Sequence, residues 1–170
     1  MKTENERLYE CYDDDWRRLY FNNESQGFVV AHKKHGKDEL PSNRILAIRL
    51  AKYFGERIEL LPRLFGEHLK SADANRNDET WEWKTTNGSY TSVQNRLRVG
   101  SHQCGRILLV LPDTFENSDV LRGIISAMNS DKNKRIVQIT LPLPNNKLVT
   151  FSRDSVGKRD FTDFYDALKD

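Results

Sequence analysis

The sequence predicts an α/β protein with a mixed central sheet flanked by helices. Three observations carry this. Residues 106–112 (RILLVLP) form a nearly continuous apolar run of strand length, the pattern of a central strand covered on both sides. Runs of helical periodicity near 41–54, 90–103 and 117–128 interleave with short β-branched or aromatic runs near 27–32, 57–62 and 80–86. The length of 170 residues, 37% of them hydrophobic, is enough for one real core and short for two.

Element by element, residues 4–20 read as a helix, because Leu8, Tyr12, Trp16 and Tyr20 recur every four residues with acids between them. Residues 1–24 carry four basic and seven acidic side chains, so 1–26 are expected to be an acidic helical appendage and 27–170 a single α/β domain. GFVVAH (27–32) reads as a strand bounded by Gly27. Pro41 suits the first turn of a helix whose inner face is Leu46, Leu50, Tyr53 and Phe54, with Gly55 as its stop. RIELLP (57–62) is a strand, 63–72 a connection, and 71–75 and 80–86 two strands joined by a turn around Arg76, Asn77 and Asp78. A helix over 90–103 buries Val93 and Leu97. After 106–112 come a helix (117–128), strands at 135–142 and 148–153, and a closing helix (160–168).

Net charge is only +2, so global charge does not mark a nucleic-acid binder. The distribution is more informative. From Thr85 to Pro112 there is no Asp or Glu, while Arg96, Arg98 and Arg106 are present. The two cysteines, Cys11 and Cys104, are far apart and in no metal-like spacing, which argues against a disulfide framework or a zinc site. No signal peptide and no apolar run of membrane-spanning length is visible, so a cytoplasmic location without a membrane partner is expected. Glycine-rich phosphate loops, Gly-X-Ser-X-Gly elbows and His-Glu-X-X-His stretches are all missing.

The segment richest in chemistry runs from Asp73 to Lys84. Residues two apart in a strand share a face, so Glu82 and Lys84 point one way and Trp81 and Trp83 the other, into a core. Asp73, on the preceding strand, could converge on Glu82. Two carboxylates and the backbone carbonyl of Trp83 can hold Mg²⁺ or Mn²⁺ through oxygen. Such an ion neutralises a scissile phosphate and acidifies bound water. Lys84 is placed to orient that water or stabilise developing charge. The bland alternative is a solvated strand face with a Glu–Lys pair, worth tenths of a kcal/mol.

These motifs also resemble a family. GFVVAHKKH, the helix with RLAKYFG, IELLP, SADA, WEWKT, a helix ending in HQ, and RILLVLP together look like the PD-(D/E)XK-type nuclease domains. Such domains form the C-terminal tRNase toxins of contact-dependent growth inhibition proteins, with relatives in mobile-element and phage proteins. The resemblance covers 27–112, about half of the chain. It implies a restriction-endonuclease-like fold, metal-dependent cleavage of nucleic acid with RNA favoured over DNA, and a small immunity-type inhibitor as partner. Asp73 matches the metal-binding aspartate, Glu82 the second acid and Lys84 the lysine. The family's further helix glutamate falls where this chain reads Ser42-Asn43-Arg44, with Glu39 the nearest substitute.

Further candidates for nucleic-acid contact are Arg96 and Arg98, the His32-Lys-Lys-His35 cluster, and Gln103. Solvated helix and loop faces, or a helix cap at Gln103, are the structural alternatives. Two other functions stay open at this level. One is a catalytically inactive binding module of the same fold. The other is a metal-independent RNase using His32, His35 and Lys84 as acid–base groups.

Overall fold

The computed structural model describes residues 2–64 and 71–169. The chain divides into two compact units, Met1–Thr80 and Trp81–Asp170. Each is a mixed sheet with helices, so the expected α/β class holds in both.

In the first unit the strands are β1 (Trp16–Phe21), β2 (Phe28–His32), β3 (Arg57–Leu60) and β4 (Ala74–Arg76), in that order across the sheet. β1 and β2 pair antiparallel, β2 and β3 parallel, β3 and β4 antiparallel. The parallel pair is bridged by α2 (Leu40–Phe54), as a parallel connection requires. Pro41 lies in the first turn of α2, and Gly55 closes it in the left-handed conformation at φ 66°. α2 buries Ala47, Leu50 and Ala51 but leaves Tyr53 exposed, unlike the expected inner face.

The N-terminal segment differs from expectation. α1 covers only Glu4–Cys11, opened by a capping box in which the Thr3 hydroxyl accepts from Glu6 N–H and the Glu6 carboxylate accepts from Thr3 N–H. The chain leaves the helix at Tyr12 in an extended conformation, and the Asp13 carboxylate then accepts from Asp15 N–H at 2.9 Å, an Asx turn that leads into β1. Trp16 and Tyr20 fall on β1 instead. A spacing of four is a multiple of two as well as close to a helical turn, so the same residues align on a strand. Tyr9 and Tyr12 of the α1 segment pack against Phe28, with ring centroids 5.5 and 6.0 Å away.

β5 (Glu79–Thr85) begins in the first unit and runs into the second. Asn77 and Asp78, both at positive φ (47° and 70°), make the two-residue turn that leads into it. The second unit continues with α3 (Tyr90–Gly100), β6 (Arg106–Val110), α4 (Asn117–Ser130), β7 (Gln138–Pro142) and β8 (Leu148–Ser152). β5, β6 and β7 are parallel and β8 closes the sheet antiparallel. β6 is the buried central strand expected from RILLVLP. α3 and α4 pack together, and Val93, Leu97, Ile107, Leu109, Val120 and Ile124 share one core cluster.

Several boundaries shift. α3 ends at Gly100, and 101–103 form a turn rather than helix. The single closing helix is two short ones, α5 (Arg153–Lys158) and α6 (Thr162–Ala167), separated by Arg159 in the left-handed conformation. Most of the connection expected at 63–72 lies outside the described residues.

Candidate functional site

β5 alternates as the sequence requires. Glu82 and Lys84 lie opposite Ile107 and Leu109 of β6, on the sheet face that carries the α3–α4 core. This face is covered, not open. Glu82 is 1% exposed, so the alternative of a solvated strand face does not hold, and the carboxylate lies buried at the edge of an apolar core. Trp81 and Trp83, on the alternate positions, are also buried.

Close approach of α3 does the covering. A Cβ on Gly100 would lie 3.4 Å from Lys84 Cγ, 3.6 Å from Glu82 Cγ and 3.3 Å from the end of Ile107. The last turn of α3 thus rests on the two polar side chains, with room for a methyl group at position 100 but for little more. The chain then turns back, with Gln103 N–H donating to Gly100 O at 2.8 Å. That turn brings the Gln103 amide to Lys84.

Lys84 Nζ donates to Glu82 Oε1, and to Gln103 Oε1 at 3.1 Å. The side chain of Lys84 is 18% exposed, against 1% for Glu82, so the ammonium is the group that meets solvent. Burying a carboxylate is unfavourable unless it is paired and hydrogen-bonded, and Lys84 supplies that pairing. Gln103, expected as a helix cap or a cleft residue, thus belongs to the Glu82–Lys84 group.

The other expected site residues are placed as follows. Asp73 forms a bend just ahead of β4 in the first unit, where its backbone carbonyl accepts from Leu61 N–H at 3.0 Å. Glu39 precedes α2 without capping it and lies 3.6 Å from Arg63. His35 is buried. Its Nδ1–H donates to Leu61 O at 2.7 Å, and its Nε2 accepts from the Asn43 amide at 3.1 Å. Both ring nitrogens are thereby engaged, and Asn43, within the Ser42-Asn43-Arg44 stretch where the resemblance expects an acid, has a structural task. His32 stacks edge-on against Trp16 at 5.2 Å and accepts from Lys34 N–H. Arg96 and Arg98 are exposed on α3.

Glu82 and the Gln103 amide offer hard oxygen of the kind Mg²⁺ takes, and Mg²⁺ often uses only one or two carboxylates besides water and phosphate. Among the described residues, no three or more His, Cys, Asp and Glu side chains gather as a metal cage.

Described residues of the second unit line cavities of two different characters. One, of about 360 Å³, opens beyond the C-terminal ends of β5 and β6 between Asn87, Ser89, Phe115 and Glu116. Its charged lining is Glu116 and Asp119, which repels phosphate. The other, of about 260 Å³, lies between the ends of α3 and α4 and is lined by Arg98, Ser101, His102, Lys132, Asn133 and Arg135 among others. Sequence reasoning selected Arg98 but missed Lys132 and Arg135. The charge run Asp131-Lys132-Asn133-Lys134-Arg135 is their one signal in the sequence, and it reads there as a solvated loop.

No protein-family model and no curated protein sequence matches the chain. Among solved structures it is similar to a chain of the "CdiA-CT/CdiI toxin and immunity complex from Burkholderia pseudomallei". The TM-score is 0.50 and the identity 16%, over 68% of this chain and 85% of that one. The likeness is one of fold. It agrees with the class expected from the sequence motifs and leaves the chemistry to be argued from this chain's own residues. No described helix is long and apolar enough to cross a membrane.

Proposed function

We propose that this protein is a toxin-type, metal-dependent endonuclease that cleaves phosphodiester bonds, with tRNA-like RNA its first substrate. The observation that carries this is the Glu82–Lys84–Gln103 group. It sets a buried carboxylate against a partly exposed ammonium at a strand end, beside an acid-free stretch of chain. The toxin reading is supported by the fold shared with a toxin and immunity complex, and a small immunity-type protein is the corresponding partner.

Glu82, with the Trp83 carbonyl as a further oxygen donor, would hold Mg²⁺ or Mn²⁺, which would supply charge neutralisation at the phosphate and an acidified water. Lys84 stabilises the negative charge that develops on the phosphate oxygens. Gln103 fixes the direction of the ammonium by accepting one of its protons. Arg96 and Arg98 hold the backbone through its phosphates. His35, with both nitrogens engaged inside its loop, is left out of the acid–base roles, which weakens a metal-independent mechanism through His32, His35 and Lys84.

One observation favours a second reading, a binding module without catalysis. The Ser42-Asn43-Arg44 stretch, where the resemblance expects an acid, has none, and Asn43 within it is committed to His35. The deciding experiment incubates the purified protein with total tRNA and with plasmid DNA, in Mg²⁺ or Mn²⁺ and in EDTA, beside Lys84→Ala and Glu82→Gln. Cleavage that needs metal and both side chains is expected, on tRNA before DNA. Cleavage that survives EDTA overturns metal dependence. No cleavage by a protein shown to be folded transfers the assignment to the binding module.

A further inference from the structure

The 260 Å³ cavity between the ends of α3 and α4 has no role in the chemistry above, yet its composition is unusual. Arg98, Lys132 and Arg135 line it, with His102 between them and Ser101 and Asn133 as hydroxyl and amide groups. One acid, Asp131, is present. It is already engaged: its carboxylate takes the Arg153 guanidinium and accepts from Ile136 N–H at 2.7 Å. Burial would raise its pKa, but the Ile136 and Arg135 N–H groups and Arg153 more than offset this and hold it below the usual aspartate range. Among the described residues, Arg98 and Lys132 have no anionic side chain as partner.

Arg135 shows how the cations are arranged. Its guanidinium donates to His102 Nδ1 at 2.6 Å, which fixes His102 as an acceptor on that side and turns Nε2 away from Arg135. A guanidinium resting on an imidazole, with two further cations around the same space, is an arrangement completed by an anion. Three donors of planar or tetrahedral geometry also match phosphate oxygens better than a single carboxylate.

Placement supplies the second half of the argument. His102 is the residue before Gln103, and Gln103 Oε1 accepts from Lys84 Nζ at 3.1 Å. The turn 101–103 therefore carries the cavity wall on one residue and a contact to the candidate catalytic lysine on the next.

We propose that this cavity is a phosphate subsite, taking a backbone phosphate of the nucleic-acid strand next to the one presented at Glu82 and Lys84. It rests on the nuclease reading above for the identity of its ligand, but not for its affinity for phosphate. Arg98 and Arg135 grip the phosphate oxygens, Lys132 adds charge, and His102 holds Arg135 in place. The subsite positions substrate and takes no part in bond cleavage.

The test uses the whole chain and two probes. First, inorganic phosphate is titrated at constant ionic strength while the His102 ring resonances are followed by NMR. His102→Gln assigns them among the four histidines of the sequence. A saturable shift is expected, absent with chloride and weakened at least tenfold in Arg98→Gln/Arg135→Gln. Second, a single-stranded RNA oligonucleotide without terminal phosphates is bound in EDTA, where nothing is cleaved. The double variant is expected to bind about tenfold more weakly, with the slope of log affinity against log salt reduced by about 0.7, the value for one phosphate contact on a single strand. Arg122→Gln, an exposed arginine elsewhere on α4, controls for general loss of charge and leaves both readings unchanged. Circular dichroism verifies that each variant is folded, and Arg135→Lys is a milder second probe that should fall between wild type and the double variant.

An unmoved His102 signal, or an equal response to chloride, overturns the subsite whatever the protein cleaves. Phosphate binding with no effect of the double variant on the oligonucleotide overturns its role in gripping a strand. A normal phosphate response in a protein that cleaves neither RNA nor DNA upholds the anion site and overturns the nuclease reading alone.

Discussion

Gly100 lies directly against Lys84: a methyl group in place of its hydrogen would sit 3.4 Å from the lysine Cγ. The last turn of α3 thus roofs the polar pair on β5. An alanine there gains helix propensity of up to about 1 kcal/mol and meets the Lys84 and Glu82 Cγ atoms at ordinary contact distance and only Ile107 Cδ1 more tightly, so Gly100→Ala should unfold within about 1 kcal/mol of wild type. A leucine has no such room. Gly100→Leu is expected to lift the turn 101–103, separate Gln103 from Lys84, and cut nucleic-acid cleavage more than tenfold in a protein that remains folded. Urea denaturation and a cleavage assay on the two variants check both halves. Full activity in Gly100→Leu would contradict the roofing role.

Lys84→Ala removes the cation beside a carboxylate that is 1% exposed. Breaking a buried pair by deleting one partner typically costs about 3–5 kcal/mol. The 18% exposure of Lys84 moderates this, and we expect about 2–3 kcal/mol by denaturant unfolding. Glu82→Gln/Lys84→Met should recover at least half of that loss, since no charge is left buried. A double variant as unstable as the sum of the singles would show that the two side chains act independently. This cycle also separates a folding defect from a catalytic one, because the double variant is expected to be folded and inactive.

What the sequence made legible follows local rules. The shared face of Glu82 and Lys84 follows from strand alternation, and the central position of β6 from an unbroken apolar run. Burial of Glu82 was not legible, because it depends on how closely a helix nearly twenty residues later approaches β5, and the only sign of that is one glycine. The basic cavity joins Arg98 to Arg135 across two helices, a proximity that no local pattern encodes. The helix expected over 4–20 failed because its period of four fits a strand as well; the chain is already extended at Tyr12, and the Asp13 turn carries it into β1.

Tyr12 tests the first unit at alkaline pH. Its hydroxyl donates to Glu59 Oε1, and burial, reinforced by that carboxylate, raises its pKa above the ordinary tyrosine value. Its contribution to stability is complete below about pH 10, where the unfolded chain is also protonated, and erodes as pH climbs because only the unfolded chain ionises freely. Tyr12→Phe removes a hydrogen bond to a charged group, worth about 1.5–3 kcal/mol at neutral pH. The gap between wild type and variant should narrow above pH 10. A gap constant with pH would mean that Tyr12 ionises equally in both states.

Asp131 gives the opposite dependence. Its carboxyl is held below the usual range, with burial opposed by the Ile136 and Arg135 N–H groups and Arg153. Such a group stabilises fully above the unfolded value of about 3.9, and the contribution is lost as pH falls below it. Arg153 also donates to Met128 O at 3.0 Å, so the pair ties α5 to the end of α4 beside the basic cavity. Asp131→Asn should therefore cost about 2 kcal/mol at pH 7 and progressively less below pH 4 in urea unfolding. An unchanged difference at acid pH would place the stabilisation in shape rather than charge.

Arg76 and Glu56 make a deeply buried ion pair in the first unit. The guanidinium donates through Nε at 2.8 Å and through an Nη at 2.6 Å to the two carboxylate oxygens, and both side chains are under 10% exposed. Two parallel bonds need the planar fork of arginine, which a lysine cannot reproduce. Arg76→Lys should then destabilise by about 2 kcal/mol or more despite conserving charge. Glu56→Met/Arg76→Met, which removes both ions and keeps similar volume, should be closer to wild type than either single replacement. The pair links β4 to the end of α2, away from Glu82 and Lys84 along the chain, so its effect is expected in the unfolding free energy and not in the pH profile of cleavage. A shift of that profile in Arg76→Lys would implicate the pair in the chemistry.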